Sequence, residues 1–447
     1  MKACKFGGSV LKNADDIRNI AGILNLDGEQ KIIVVSAFYG ITNKLVDLFN
    51  LAKNGENFTS QLDEIKNFHI KMVADLAVEN GEVLILLSQL EQALKGISSS
   101  NEYEIHDLVL SFGERLSSLI IYKFLSLQDG KTGYIHSEEV VKTDSNFGRA
   151  KVFIEETKVA IQAAARALSD AKIIVCAGFI ASSKDGKITT LGRNGSDYSA
   201  ALYSSAVNAS VLEIWKDTNG LFTADPKIVE NVRFIDKISY QEMRELSSLG
   251  NKVVHVDAIT PCITANIPIL LKNCYNPSFP GTLIASEGNS DAINGIVKLD
   301  GLSTLTLQIN EMVDIDKFAI KLQETIGQFR DYIVSFSQNI NQRIFAAVVK
   351  NKADDFIKKI TEIFGHHIDI GDIKITQSEP RSMITVLGSN LINSVGISGQ
   401  IFGILQKEHI NVYSIQDEFS ATRISFLCPT ESANLVIKLL HKELVEK

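Results

Sequence analysis

The chain has 447 residues, of which 45% are hydrophobic and 22% are charged, and its formal net charge is −8. These values are those of a globular protein large enough for two or three domains. The acidic balance argues against a nucleic-acid partner, and no apolar run approaches the ~20 residues that a membrane span needs. The start, MKACKFGGSV, reaches glycine too early for a signal peptide, and the five cysteines are scattered. We therefore expect free thiols and a cytoplasmic protein.

Strand-like and helix-like segments alternate over roughly the first 290 residues. The apolar runs KIIVVSA (31–37), AKIIVCAGFIAS (171–182) and VLEIWKD (211–217) are typical of buried parallel strands. Helical periodicity follows the first run and dominates 60–127. This alternation predicts an α/β three-layer sandwich with a largely parallel central sheet. Because ligands bind beyond the carboxyl ends of such strands, the loops after Ala37, Phe179 and Asp217 are expected to converge.

The pattern changes near Pro280 and Gly295. We predict strands at 303–310, 332–339, 342–350 and 372–379 with helices at 316–329 and 353–364. A second round has strands at 383–388, 411–418 and 421–428 with helices at 394–409 and 431–444. Both rounds fit ferredoxin-like βαββαβ units, which usually bind a ligand or a partner. We place domain limits at 1–292, 300–380 and 381–447 and expect the last two to serve regulation or assembly.

The loop Lys5–Phe6–Gly7–Gly8–Ser9 is the first of three that carry residues suited to chemistry. Its glycines would let backbone N–H groups approach an anion, and Lys5 would supply a positive charge. A strand that ends in a glycine turn beside a solvated lysine is the ordinary alternative. The loop has neither the Walker spacing nor the dinucleotide fingerprint.

Two later loops can likewise be interpreted either as ligand-binding loops or as ordinary turns. In Leu191–Asp197, Arg193 is suited to a carboxylate or phosphate, whereas Asp197 fits a lysine or a metal ion better. In Trp215–Lys227, Phe222 could stack on a nucleotide base, with lysines near the phosphates. Taken singly, the two loops also fit a solvated turn and a strand end.

These loops, in this order, resemble those of the amino-acid kinase family and, within it, of the aspartate kinases. The matching stretches cover most of 1–285: KFGGSV, SAFYGITN, FGERLSS, TDSNFGRA, AGFI, TLGRNGSDYSAALY, EIWKDTNGLFTADPK, SYQEMRELSSLGNKVVH, ITP, IPILLKN and PGTLI. The two C-terminal units resemble the ACT domains that follow this catalytic domain. The resemblance therefore spans essentially the whole chain.

The resemblance implies transfer of the ATP γ-phosphoryl group, with Mg²⁺, to the side-chain carboxylate of L-aspartate. The product would be 4-phospho-L-aspartate, at the first step of the lysine, threonine and methionine (diaminopimelate) pathway. An amino-acid effector at the ACT units is also implied. Since ACT-like sheets leave exposed edges, we expect pairing between chains into a homodimer or a higher assembly.

Family roles carry over to positions that match the motifs. The catalytic positions are Lys5 and Asp197, and Asp197 would orient Lys5. The substrate positions are Ser36, Thr42, Glu114, Phe179, Arg193 and Ser196, with Arg193 on the α-carboxylate and Glu114 on the α-ammonium group. The ATP positions are Lys5, Phe6, Gly7, Gly8, Lys216, Asp217, Phe222, Lys227, Lys252 and Val253. No protein ligand of a metal ion is predicted.

Several positions depart from the family pattern. The glycine loop is one residue shorter than the usual KFGGTSV, and Lys216, Phe222 and Lys227 replace threonine, tyrosine and arginine. These changes bear on ATP affinity more than on the reaction. Ser335 stands where lysine-inhibited relatives have an acid, which leaves the effector open. Two alternatives also stay open: a catalytically silent ACT-domain amino-acid sensor, and a kinase for another acidic amino acid.

Overall fold

The structure is a computed structural model that describes residues 1–98, 101–129, 131–248, 254, 256–289, 293–310, 315–329, 332–338, 343–389, 391–416 and 422–446. The chain divides into two units. The first comprises Met1–Leu221, Asp236–Met243 and Val253–Gly288. The second comprises Phe222–Ile235, Arg244–Lys252 and Asn289–Lys447. Nothing in this division tests the predicted domain limits 1–292, 300–380 and 381–447, which remain predictions.

Strands and helices alternate through the first half of the chain, as the apolar runs predict. They are β1 (Lys2–Phe6), α1 (Ala14–Leu24), β2 (Lys31–Val35), α2 (Ile41–Lys53), α3 (Thr59–Asp75), α4 (Gly81–Lys95), α5 (Glu102–Asp129), β3 (Thr132–Ile135), α6 (Ser137–Val140), β4 (Lys142–Thr143), α7 (Ile154–Ala167), β5 (Ile173–Ala177), β6 (Ile180–Ser183), β7 (Ile188–Thr190), α8 (Gly195–Ala206) and β8 (Leu212–Lys216). The next elements are β9 (Leu221–Phe222), β10 (Phe234–Ile235), β11 (Lys237–Ser239), α9 (Tyr240–Ser248), α10 (Val256–Thr264), β12 (Ile269–Asn273) and β13 (Thr282–Ala285).

An eight-stranded sheet forms the centre of the first unit, in the order β11-β13-β12-β8-β1-β2-β5-β3. Its neighbours are parallel except for β12 and β13. All residues of β2 and β5 are buried, as in a sheet that is covered on both faces. Cys4 and Phe6 of β1 share a hydrophobic core with side chains of α1–α5. On the other face α8 packs on β1 and β2 and contacts α7 and α10. The predicted three-layer sandwich is confirmed.

The C-terminal half of the chain forms an antiparallel sheet with helices. Its elements are β14 (Gly295–Ile309), α11 (Ile315–Gln328), β15 (Ile333–Gln338), β16 (Arg343–Val349), α12 (Lys350–Asp369), β17 (Ile373–Gln377), β18 (Arg381–Leu387), α13 (Ile397–Lys407), β19 (Ser414–Gln416), β20 (Arg423–Pro429) and α14 (Ala433–Leu444). The strand order is β15-β16-β14-β18-β20-β19, with β17 also paired to β14.

The long strand β14 serves both ferredoxin-like units. Residues 302–309 pair with β16 and β17, whereas 295–302 pair with β18. The first of these two ferredoxin-like units thus has the predicted βαββαβ order. The second ferredoxin-like unit is completed by the start of β14 rather than by a strand after α14. The predicted strand start at 303 is wrong. The register with β18 shifts between Leu299 and Leu302, and Gly301 has φ +72°, so a bulge interrupts the strand without ending it.

No helix in the described part of the chain is long and apolar enough to cross a bilayer.

Candidate active site

Lys5 and Asp197 meet at the carboxyl end of the central sheet. Side chains alternate along β1, so Lys5 lies on the face opposite Phe6, which is the face that α8 covers. Asp197 lies in the first turn of α8. The Lys5 Nζ and Asp197 Oδ1 atoms are 2.7 Å apart, and each residue is only 6% exposed. The contact is an ion pair without the alignment of a hydrogen bond.

Two glycines bring the start of α8 against the turn after β5. A Cβ atom on Gly178 would lie 2.7 Å from Ser196, and one on Gly195 would lie 2.7 Å from the Phe179 ring. Phe179 has φ +68°, and its N–H donates to Ser199 Oγ at 2.9 Å. The strained backbone of Phe179 is therefore held by α8, which also carries Ser196 and Asp197.

Glu114 enters the same region from α5. A Cβ on Gly113 would lie 2.9 Å from that of Ala37, so glycine permits α5 to approach the loop after β2. Glu114 is 4% exposed, and Ser196 Oγ donates to its Oε1 over a long 3.5 Å. Burial raises the pKa of Glu114 from 4.5 to about 8, opposed by hydrogen bonds from Ala37 and Ser196 and by the Lys5 charge. Its Oε2 has no hydrogen-bond partner among the described residues. A bound cation would stabilise this carboxylate.

Lys216 adds a second positive charge at the end of β8. Burial and the charge of Lys5 lower the pKa of Lys216 from 10.5 to about 8, against the effects of Asp197 and Asp217. Both ammonium groups therefore interact with Asp197, and Lys216 also interacts with Asp217. An anionic ligand would relieve the repulsion between the two ammonium groups. Asp217 follows β8 and is exposed.

The glycine loop closes tightly on these charges. A Cβ on Gly7 would lie 3.3 Å from Lys5 Nζ, and one on Gly8 would lie 3.2 Å from the Ala37 carbonyl. The Gly7 N–H donates to the Trp215 carbonyl at 3.4 Å and is thus used by the sheet. Gly8 begins a short 3-10 helix, Gly8–Val10, whose first N–H groups have no partner within the helix. The loop therefore offers the Gly8 amide to an anion more readily than that of Gly7.

The other predicted residues have distinct environments. The Ser36 N–H donates to the Phe6 carbonyl at 3.1 Å, and Thr42 is half-buried in the first turn of α2. Arg193 is exposed and forms no ion pair with a described residue. The Phe6 ring is fully buried, with its centroid 6.2 Å from that of Trp215, so only its backbone is accessible.

The remaining predicted ATP positions lie elsewhere in the chain. Phe222 and Lys227 belong to the second unit. The Phe222 ring meets Phe234 edge to face, with centroids 5.9 Å apart, and Lys227 is exposed. Lys252 and Val253 lie outside the described residues.

One supporting residue escaped the sequence interpretation. Asp107 in α5 is fully buried and accepts hydrogen bonds from the Thr190 N–H (2.8 Å), the Thr190 hydroxyl (2.9 Å) and the Gly148 N–H (2.9 Å). It joins α5 to β7 and to the TDSNFGRA loop. A Cβ on Gly192 would lie 3.2 Å from the Gly148 carbonyl, so the loop that carries Arg193 rests on this anchor. An aspartate inside the apolar stretch of a helix is the signal that could have identified it.

These features define an α/β protein with a cluster of buried and half-buried charged side chains at the carboxyl ends of a largely parallel sheet. Among the described residues no group of three or more His, Cys, Asp or Glu side chains could hold a metal ion. The pattern of the amino acid kinase family matches residues 1–273, and that of an ACT domain matches 384–444. The chain belongs to the amino acid kinase family.

Known proteins resemble the chain over its whole length. Lysine-sensitive aspartokinase 3 of Escherichia coli is 28% identical over 99% of this chain and 98% of its own. A bifunctional aspartokinase/homoserine dehydrogenase of Buchnera aphidicola is 30% identical over 99% of this chain, which spans only 56% of that relative. Two crystal structures of E. coli aspartokinase III have a TM-score of 0.82. The complex with aspartate and ADP is 25% identical, covering 99% of both chains, and the complex with lysine and aspartate is 26% identical, covering 100% of this chain and 99% of the other.

Proposed function

We propose that the chain is an aspartate kinase, which transfers the γ-phosphoryl group of ATP to the side-chain carboxylate of L-aspartate. The observation that carries the proposal is the joint position of Lys5, Lys216, Asp197 and Glu114 at one end of the sheet. The product, 4-phospho-L-aspartate, is an acyl phosphate. The whole-length similarity to aspartokinases supports this function.

The chemistry requires charge neutralisation rather than a base. The attacking carboxylate is ionised at neutral pH, so the main barrier is the approach of two anions and the charge on the moving phosphoryl group. Lys5 lies next to the glycine loop and is held by Asp197, so its ammonium is placed before the substrates bind. Mg²⁺ would add positive charge on the phosphates, which usually supply much of its coordination themselves.

Aspartate recognition uses one group of each sign. Glu114 is buried and has no cationic partner at hydrogen-bond distance among the described residues, so it would accept the α-ammonium group. The exposed guanidinium of Arg193 would bind the α-carboxylate in a bidentate manner. Ser36, Thr42, Phe179 and Ser196 would line the rest of this pocket. An acceptor without an α-amino group would leave Glu114 unpaired, which favours an α-amino acid.

For ATP we propose the backbone of Phe6, Gly7 and Gly8 near the phosphates, together with Lys5. The further positions are Lys216, Asp217, Phe222, Lys227, Lys252 and Val253. The position of Lys216 is also supported by its electrostatic interaction with Lys5 and Asp197. Phe222, Lys227, Lys252 and Val253 rest on the family pattern alone.

The test is ATP turnover with a panel of acceptors. We expect ADP release with L-aspartate and little with L-glutamate, D-aspartate or succinate, each of which alters length, chirality or the α-amino group. Equal turnover with glutamate would favour the kinase for another acidic amino acid. No turnover with any acceptor would favour a silent ACT-domain sensor.

We further propose that the ACT units bind an amino-acid effector and that the protein acts as a cytoplasmic homodimer or a higher assembly. The E. coli structure with lysine and aspartate makes lysine the first effector to test. Thermal shifts with lysine, threonine and methionine would identify the effector, and light scattering would give the assembly state.

A further inference from the structure

The segment Phe222–Ile235 folds with the second unit. Ala224 and Val229 share a hydrophobic core with Val436 and Leu440 of α14. The Thr223 N–H donates to the Arg233 carbonyl at 2.9 Å, and the Thr223 carbonyl accepts from the Ile296 N–H at 2.7 Å. The backbone on both sides of Thr223 is thus fixed inside this unit.

The Thr223 hydroxyl connects this segment to the C-terminal helix. Thr223 is 4% exposed and His441 in α14 is fully buried. Thr223 Oγ1 lies 2.8 Å from His441 Nε2, and His441 Nδ1 lies 2.9 Å from Glu446 Oε1. The two residues are 218 positions apart in the chain.

The hydrogen-bond network assigns the protons. A carboxylate only accepts, so His441 Nδ1–H donates to Glu446, and in the neutral imidazole Nε2 is left as an acceptor. Thr223 therefore donates its hydroxyl proton to His441 Nε2, and its oxygen accepts the Arg233 N–H at 2.9 Å. Each group has a partner, and loss of the hydroxyl would leave the part-buried Arg233 N–H and the buried His441 Nε2 unmatched.

The order Thr–His–Glu resembles a nucleophilic triad, but the surroundings exclude that use. The Thr223 oxygen is buried and already accepts a backbone N–H, so it has neither access to a substrate nor a free direction of attack. The arrangement instead fixes the position of Thr223, which directly follows Phe222 and stands four residues before Lys227.

We propose that His441 is a positioning residue for the nucleotide-binding segment. Through Thr223 it holds Phe222 and Lys227 in place, so that ATP affinity depends on the C-terminal helix of the ACT unit. This inference rests on the proposed function, because Phe222 and Lys227 are assigned to ATP there.

Four variants test the role of His441. Thr223→Val keeps the shape of the side chain and removes the hydroxyl, Thr223→Ser keeps the hydroxyl, and His441→Phe removes the acceptor. Thr385→Val is the matched control, because the buried Thr385 Oγ1 bonds Ser425 Oγ at 2.8 Å in the same unit, and this hydrogen bond joins β18 to β20 rather than to the segment. The measurements are the KM values for ATP and aspartate, the Kd of a non-hydrolysable ATP analogue, and Tm.

We expect Thr223→Val and His441→Phe to raise the KM for ATP and the Kd of the analogue about tenfold, with the KM for aspartate within about twofold of wild type. Thr223→Ser should restore ATP affinity, and Thr385→Val should lower Tm alone. Equal ATP affinity in Thr223→Val and Thr385→Val, or a parallel rise in both KM values, would overturn the inference. If the wild type binds the analogue without phosphorylating aspartate, only the proposed function fails, and the Kd values of the variants decide the inference about His441. A wild type that binds no analogue overturns both.

Discussion

Buried polar groups have different surroundings in the two units. In the first, Lys5 and Lys216 repel each other beside Asp197, and the buried Glu114 has an Oε2 atom without a hydrogen-bond partner among the described residues. In the second, buried hydroxyl groups have buried partners: Thr385 bonds Ser425 at 2.8 Å, and Thr223 bonds His441 at 2.8 Å. Burial of polar groups therefore does not by itself mark a reactive site. Buried charged groups that repel each other or lack a partner, which a ligand could supply, are the better indicator of a reactive site.

The largest effect is expected from Lys5, which interacts with Asp197, Glu114 and Lys216. Lys5→Met removes the ammonium group, and we expect kcat to fall by about a thousandfold, as when a preorganised charge or donor is lost from an active site. Asp197 would remain buried without its partner, which typically costs about 3–5 kcal/mol of the free energy of unfolding. Steady-state kinetics and urea unfolding measure the two effects.

The double variant Lys5→Met/Asp197→Asn separates catalysis from stability. It removes the unpaired carboxylate, so stability should largely return while turnover stays low. Recovery of turnover together with stability would show that Lys5 serves the fold rather than the reaction.

Arg193 should affect binding alone. It is exposed and forms no ion pair with a described residue, so Arg193→Ala should leave Tm unchanged. Loss of a charged hydrogen-bonding pair should raise the KM for aspartate about ten- to a hundredfold, with a small effect on the KM for ATP. Arg166→Ala, at another exposed arginine of the first unit, is the control and should change neither. An aspartate KM that does not move would remove Arg193 from the substrate pocket.

Glu114 should make the ligand-free protein pH-sensitive. Its pKa is 4.5 in the unfolded chain and about 8 in the folded one, so the folded state holds an extra proton between these values. Stability should therefore fall as pH rises from 4.5 to 8, on the order of 1 kcal/mol per pH unit. Glu114→Gln should match wild type near pH 5 and be more stable near pH 8.

Aspartate binding supplies a second readout of Glu114. The incoming ammonium group favours the carboxylate, so binding near pH 7 should release a proton from wild type and not from Glu114→Gln. Calorimetry in buffers of different ionisation enthalpy measures this release. An equal proton count in both proteins would contradict the assignment of Glu114.

The smallest effect concerns two glycines of the second unit. Gly396 precedes α13 with φ +82°, whereas Gly399 is helical, and a Cβ on either would meet no atom within 4 Å. Gly396→Ala should lower the free energy of unfolding by about 1–2 kcal/mol because of its left-handed backbone. Gly399→Ala should raise it by about 0.5–1 kcal/mol. Equal effects of the two changes, measured by urea unfolding, would mean that this helix start relaxes freely.

The local sequence pattern was enough to predict the strands of the sheet, but it predicted the site only in part. The strands β2 and β5 are apolar and wholly buried, so composition alone identifies them. The loops after Ala37, Phe179 and Asp217 were expected to converge because strand ends share an edge. The contact of Lys5 with Asp197 was expected from the family resemblance, and the two side chains do meet. Roles within the pocket came from resemblance to a family, since a lone Arg193 or Glu114 has no distinctive local sequence.

Long-range contacts account for what the sequence did not reveal. The strand was predicted to begin at 303, and only the pairing of 295–302 with β18 shows that it begins earlier and continues through the bulge at Gly301. Asp107 binds partners 41 and 83 residues away, and Thr223 bonds His441 across 218 residues. Phe222, which was expected to stack on a nucleotide base, contacts the Phe234 ring. No local pattern encodes such partners.

The central claim is that Lys5 and its neighbours offset the repulsion between a triphosphate and the aspartate carboxylate. Calorimetric titration of aspartate, with and without a non-hydrolysable ATP analogue, measures that repulsion in wild type and in Lys5→Met. We expect the analogue to leave aspartate affinity nearly unchanged in wild type and to weaken it strongly in Lys5→Met. The same dependence on the analogue in both proteins would contradict the claim.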